Sequence, residues 1–343
     1  MNYAVITKAK AMYGKRLTGQ DFKTLSEMKN VEDCAQFLKA HPAFEKTLGT
    51  LDIRGIHRGQ LEKVLYSQYY LDFTRLIKGL TENDRKVVSM FFKAYETGAV
   101  LWFLRNLNAP EIVKGGYISL YEPMMKKHTE LDFSALHLVK TVKQLISILP
   151  PRYASVIERA TDNDGNFDYI SIENELWKNY YLGIGNTLKK KSKDEDVRTI
   201  FGIHTDLRNI INIFRLREYF NYSANEIIPF VMRPSYRLTD EVLQRFCNAA
   251  NKKEFATILA DTPYSALKDA VTNDGIEFAA AEIVCKKACK LLHFSKSAPA
   301  VVYAYTEYKQ REINKVKTVV ESVRYNLDRE MIESYVGTKT KAD

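Results

Sequence analysis

The chain has 343 residues, 45% apolar and 27% charged, and a formal net charge of +9. This length exceeds one ordinary core and sets two or three compact units as the expectation, and the composition is that of a folded chain, not a disordered one. Its 15 Gly and 9 Pro are thin punctuation for a sheet protein full of tight turns, so helices are expected.

No stretch reaches the roughly 20 uninterrupted apolar residues that span a bilayer. The opening "MNYAVITKAKAMYGKRLT" scatters Lys8, Lys10, Lys15 and Arg16 through itself and lacks the apolar segment of a signal peptide. Cys34, Cys247, Cys285 and Cys289 form no disulfide framework in a chain this long. A cytoplasmic protein is expected. The positive excess invites a nucleic-acid reading, but it is shared. Residues 1–113 hold 17 basic and 12 acidic side chains, 114–222 hold 16 and 14, and 223–343 hold 18 and 16. A diffuse positive surface suits an acidic partner or an anionic membrane face.

In chain order, short front helices are predicted in "LTGQDFKTLSEMKNVEDCAQFLKAHP" (17–42), then a long amphipathic helix in "LEKVLYSQYYLDFTRLI" (61–77). A closing helix follows in "ETGAVLWFLRNL", led by Glu96, and "NAPEIVKGGY" (108–117) stops it with Pro110, Gly115 and Gly116. The plan then repeats. "LDFSALHLVKTVKQLISILPP" (131–151) is a loose second front, "IENELWKNYYLGIGNTL" (172–188) a second middle helix, and "DLRNIINIFRLR", led by Asp206, a second closing helix. After the connection 221–237, "LTDEVLQRFCNAANKKEFATILADTP" (238–263) aligns without gaps on 17–42, and a third closing helix begins at Glu312 in "EINKVKTVVESV".

The copies agree residue by residue. Glu62, Leu65, Tyr69, Tyr70 and Leu71 recur as Glu173, Leu176, Tyr180, Tyr181 and Leu182. Leu207, Ile210, Ile211 and Phe214 sit at i, i+3, i+4 and i+7, one face of a helix. Thr97, Val100, Leu101 and Leu104 fill the same places in the first copy, and Ile313, Val316 and Val320 keep the register in the third. From the front proline to the acid is 54, 55 and 49 residues in the three copies. The expectation is an all-α chain of three pseudo-repeated helical bundles in series, 1–113, 114–222 and 223–343, each burying its apolar stripe within its own bundle.

Nine residues after the acid stand Arg105 and Arg215; the third copy has Glu321 there. Nine residues are 2.5 helical turns, so acid and Arg point to opposite sides. Glu96, Asp206, Arg105 and Arg215 are therefore the candidate partner-interface residues, against the plainer reading of arginines that are solvated or paired locally.

No catalytic, cofactor or metal site emerges. "MYGKRLT" and "YLGIGNTL" lack the glycines of a phosphate loop. "DNDGNFDYISIE" (162–173) places acids near calcium-loop positions but has Phe167 where the glycine belongs, so a turn with a helix N-cap accounts for it, as it does for "TNDGIE" (272–277). Cys285, Cys289 and His293 share a helical face without the further ligands zinc needs. The acids of "KSKDEDVRT" (191–199) and the basic run "KKKSK" (189–193) read as a solvated link. The Tyr69–Tyr70 and Tyr180–Tyr181 pairs read as packing more than as platforms for stacked bases.

The opening "YAVITKAKAMYGKRLT", the "LxxxLYxxYYLxxxxLI" helix and the acid-led closing helices together resemble the C subunit of V/A-type ATPases, the counterpart of the d subunit of the eukaryotic vacuolar ATPase, over residues 3 to about 336. The resemblance implies a funnel of three related bundles without catalytic residues or cofactors. It would be a central-stalk rotor subunit joining the shaft to the membrane proteolipid ring and coupling ATP hydrolysis or synthesis to proton or sodium movement. The family's third closing helix usually ends in a Gly-Lys type sequence, where this chain has Ser322-Val323-Arg324. The competing expectations are a helical-repeat nucleic-acid or scaffold protein, suggested by the pI of about 9.1 and the tyrosine pairs, and an all-helical enzyme.

Overall fold

The structure is a computed structural model and describes residues 3–125, 128–191, 194–273 and 275–337. Among the described residues it is helical throughout, and the only β feature is an isolated bridge between Thr161 and Phe167. Two compact units emerge, one of Met1–Arg85, Gly116–Lys127 and Ala288–Asp343, the other of Lys86–Gly115 and His128–Lys287.

The aligned fronts share their helix signals. Thr18 and Thr239 both cap the first front helix, accepting from the amides of Asp21 and Val242. Asn30 and Asn251 cap the second, accepting from Asp33 and Glu254. Each oxygen satisfies an amide that the first helical turn leaves without a partner. The middle helices run Arg58–Ile77, Tyr169–Lys191 and Ile276–Phe294.

The closing helices begin earlier than the leading acids suggest. The second runs Glu195–Glu218 behind an Asp194 cap, and the third Ala298–Arg324 behind a Ser297 cap. The first is broken at Phe92 into Glu82–Phe91 and Lys93–Arg105. Asp206 and Glu312 therefore lie mid-helix, with buried residues such as Ile200, Phe201, Val302 and Tyr305 continuing the packed surface upstream. The second and third closing helices both stop shortly before an asparagine at positive φ, Asn221 (54°) and Asn326 (53°), a residue that tolerates this conformation.

The apolar stripes do not stay within their own copies. In the second unit, Leu207, Ile210 and Phe214 of the second closing helix share a core with Leu243, Phe246, Phe255 and Leu259 of the third front. Phe255 lies 5.4 Å from Phe214 and 4.6 Å from Phe246 between ring centres. The first closing helix packs there against the second middle helix. In the first unit the third closing helix packs against the first middle helix, the N-terminal helix Tyr3–Gly14 and the first front. The first closing helix thus packs on the second middle helix, the second on the third front, and the third on the first front and middle helix. The reason is steric similarity: the fronts present equivalent surfaces, so a stripe of period 3.6 fits any of them.

By length and hydropathy, one described helical stretch, Glu82–Arg105, is apolar enough to cross a membrane. Of that window, 56% is buried inside the protein, as in a core helix.

Candidate partner interface

The three repeated acids stand at the three joints. Glu96, Asp206 and Glu312 are 1%, 0% and 2% exposed, so each must be answered from within the fold. Glu96 Oε1 accepts from Arg152 at 2.6 Å, and the same guanidinium reaches Glu130 at 2.8 Å. Asp206 accepts from the amides of Tyr236 (2.8 Å) and Arg237 (2.7 Å) and from the Tyr264 hydroxyl (2.8 Å). Glu312 accepts from the amide of Leu17 (2.8 Å) and from Lys309 (2.5 Å), whose ammonium lies 4.2 Å from the centre of the Phe44 ring. The partners belong to the front of the next copy or to the residues directly flanking it, helped at Glu312 by a lysine one turn upstream.

Burial pushes the Glu96 and Asp206 carboxyls above the ordinary range. The Arg152 cation opposes the shift at Glu96, and the backbone amides of Tyr236, Arg237 and Leu238 with the Tyr264 phenol oppose it at Asp206. Glu96 and Asp206, expected at a partner interface, are thus held inside the fold. Sequence reasoning missed their partners, although Arg152 and Tyr264 each directly follow the front proline (Pro151 and Pro263), the one signal available.

Arg105 and Arg215 lie further out. The Arg105 guanidinium lies 4.5 Å from the centre of the Tyr169 ring and donates to its hydroxyl at 2.8 Å. Arg215 is half-buried, 3.9 Å from Glu173, which also receives Arg208 at 3.6 Å. Glu321 of the third copy pairs with Arg58 at 2.5 Å. Arg58 opens the first middle helix as Tyr169 opens the second, so the reversal of charge at Glu321 is matched by its neighbour. Glu62, equivalent to Glu173, likewise meets a cation of a closing helix, Lys317.

The remaining motifs resolve into packing. Tyr69 is buried, and Tyr180 and Tyr181 meet edge to face at 5.0 Å, with the Tyr180 hydroxyl donating to the carbonyl of Phe91. Asp162 accepts from the amides of Asp164 and Asn166, and Asp168 caps Ser171, which makes 162–173 a turn and a helix start. Asp274 of the matching turn, and Ser192 and Lys193 of the basic run, lie outside the described residues. Burial pushes the Cys34 thiol up to about 12 and Cys247 up to about 11, so neither is a ready thiolate. The Tyr13 hydroxyl donates to Cys289 Sγ at 3.4 Å, and the His293 ring packs edge-on to Tyr13. No group of three or more His, Cys, Asp and Glu side chains placed to hold a metal occurs among the described residues.

A family described as ATP synthase (C/AC39) subunit matches residues 5–335. The chain is 22% identical to the A-type ATP synthase C subunit of Methanosarcina barkeri over 341 residues, 96% of this chain and 91% of that one. The same name is carried by relatives from Methanosarcina mazei (22% identity, covering 97% and 92%) and Thermococcus kodakarensis (22%, covering 96% and 88%).

Proposed function

The chain belongs to the ATP synthase (C/AC39) subunit family, and from that premise we propose that it is the central-stalk socket of a V/A-type rotary ATPase. The family is a structural subunit of the enzyme and not a catalytic one. In the proposed role the chain joins the central shaft to the membrane proteolipid ring, sits at the cytoplasmic face, and couples ATP hydrolysis or synthesis to proton or sodium movement. The observation that carries this reading is the match over nearly the whole chain, all three repeats included. The joints support it physically. A torque-bearing element needs bundles that do not slip, and buried, hydrogen-bonded acids at each joint resist slippage because separation would strand them without partners.

Arg105 and Arg215 are the proposed contacts for acidic groups on a neighbouring subunit. Tyr169 offers Arg105 a ring and a hydroxyl but no negative charge, so its cation is available to a partner. Affinity capture of the chain from detergent-solubilised membranes is expected to recover shaft and proteolipid subunits. Arg105→Glu with Arg215→Glu should leave melting nearly unchanged and weaken that recovery, most visibly at moderate salt. Capture of peripheral-stalk subunits alone would refute the central-stalk role. Equal recovery by the double variant would remove the arginines from it.

A further inference from the structure

The three joints differ in the side chain that meets each acid. Beside Asp206 the residue after the front proline is Tyr264, 3% exposed, and beside Glu312 the aromatic Phe44 is fully buried. Beside Glu96 it is Arg152, whose side chain is 37% exposed and lies 5.0 Å from the centre of the buried Tyr153 ring. A cavity of about 520 Å³ opens next to this guanidinium. Its walls come from Lys93–Arg105, Pro151–Arg159 and Tyr169–Lys191, all within the second unit.

The lining has one sign of charge. Lys93, Arg152 and Arg159 face the cavity, and no carboxylate lines it. Lys93 makes no ion pair among the described residues. Glu130 and Glu175 hold Arg152 and Arg159 from outside, but their side chains are 66% and 41% exposed, so an incoming anion can displace them cheaply. Ser155 and Asn179 add donors that make no side-chain hydrogen bond among the described residues, over a floor of buried Leu176 and Ile184. Gly183 stands in the wall in mid-helix, and a Cβ added there would meet nothing within 4 Å. A glycine inside a helix is destabilising relative to alanine, and here it keeps the cavity open.

We propose that this cavity binds a phosphate-bearing small ligand. Two planar guanidinium forks and an ammonium around one opening match the oxygens of a phosphoryl group. The volume lies in the range of small-molecule sites. The phosphate can belong to a soluble polyphosphate or to a lipid headgroup, and the test separates the two.

Titration calorimetry with inorganic pyrophosphate is paired with flotation on phosphatidylcholine vesicles with and without phosphatidic acid. Binding in either arm is expected to fall at least about tenfold in Lys93→Ala with Arg159→Ala, since each lost charge-assisted contact is worth about that factor. Arg152 is left intact because Glu96 depends on it. Gly183→Leu, which favours the helix and fills the cavity without altering charge, should abolish binding with an unchanged melting temperature. Binding of pyrophosphate identifies a soluble ligand, and binding of the phosphatidic-acid vesicles alone identifies a headgroup. The proposal is overturned if the parent protein binds neither, or if both variants bind as the parent does.

Discussion

Asp206→Ala tests the joint between the second and third copies at its most enclosed point. The substitution removes the acceptor of three hydrogen bonds, from the amides of Tyr236 and Arg237 and from the Tyr264 hydroxyl. Tyr264 is almost fully buried, so its hydroxyl loses a partner that water cannot replace, which costs about 1–3 kcal/mol. The two amides lie in an exposed connection and recover water, so each adds about 0.5–1 kcal/mol. Relief of the desolvated carboxylate, whose penalty shows in its raised pKa, offsets part of the loss. The net expectation is about 2–4 kcal/mol of destabilisation, measured by denaturant unfolding. Tyr264→Phe removes one bond without orphaning a buried donor and should cost about 1 kcal/mol. With Tyr264→Phe already in place, Asp206→Ala no longer strands a hydroxyl, so the double variant should be less destabilised than the sum, by about 0.5 kcal/mol or more. A single Asp206→Ala variant within about 0.5 kcal/mol of the parent would refute the joint, as would strict additivity of the pair.

Ile210→Asp places an unpaired charge in the core shared with the third front and should cost several kcal/mol; an unchanged melting temperature would show that this face is not buried. Asp72, Glu96 and Asp206 share a pH signature, because burial raises all three above their ordinary values of 3.8, 4.5 and 3.8. A raised acid binds its proton more tightly in the folded state, so its contribution to stability grows as pH falls towards those values and is lost as pH rises through the folded pKa. Stability of the parent relative to Asp206→Asn should therefore increase on acidification, and the opposite slope would exclude a raised pKa at Asp206. Arg58→Ala and Glu321→Ala should each be weakly destabilising, by about 0.2–1 kcal/mol, and together less than additive, since the pair is partly exposed; strict additivity would mean Arg58 and Glu321 do not interact in solution.

Much of each copy's interior was legible in the sequence. The short front helices of 17–42 and 238–263 and the i, i+3, i+4, i+7 stripe of Leu207, Ile210 and Phe214 are local signals, and local signals survive in a single chain. Asp206 and Glu312 looked like helix starts because periodicity weakens upstream in "FGIHT" and "TEYKQR", yet Asp194 and Ser297 begin the helices. Less of the site was legible. The nine-residue spacing identified Glu96 and Arg105 as a recurring pair of positions and correctly kept them from bonding to each other, but spacing says nothing about what faces each one. Arg152, Tyr264 and the amide of Leu17 are 56, 58 and 295 residues from their acids, so no periodicity links them.

The exchange between copies follows from the repetition itself. Because the fronts are alike, the stripe of a closing helix cannot distinguish its own front from another by hydrophobicity alone, and chain connection has to decide. Glu96 is followed by the second front at Leu131, and Asp206 by the third at Leu238, so the next front is delivered to the closing helix soon after that helix ends. A front already behind the helix is separated from it by the whole middle helix. The third closing helix packs on the first front, and the two meet at Glu312 and Leu17. The acid at that last joint then needs more help than the others. A single backbone amide of the first front answers it, and the chain adds Lys309 from the same helix, itself packed over Phe44 of that front. A buried ion pair within one helix is ordinarily a doubtful source of stability. At this joint it neutralises an acid that the returning front answers with only one hydrogen bond.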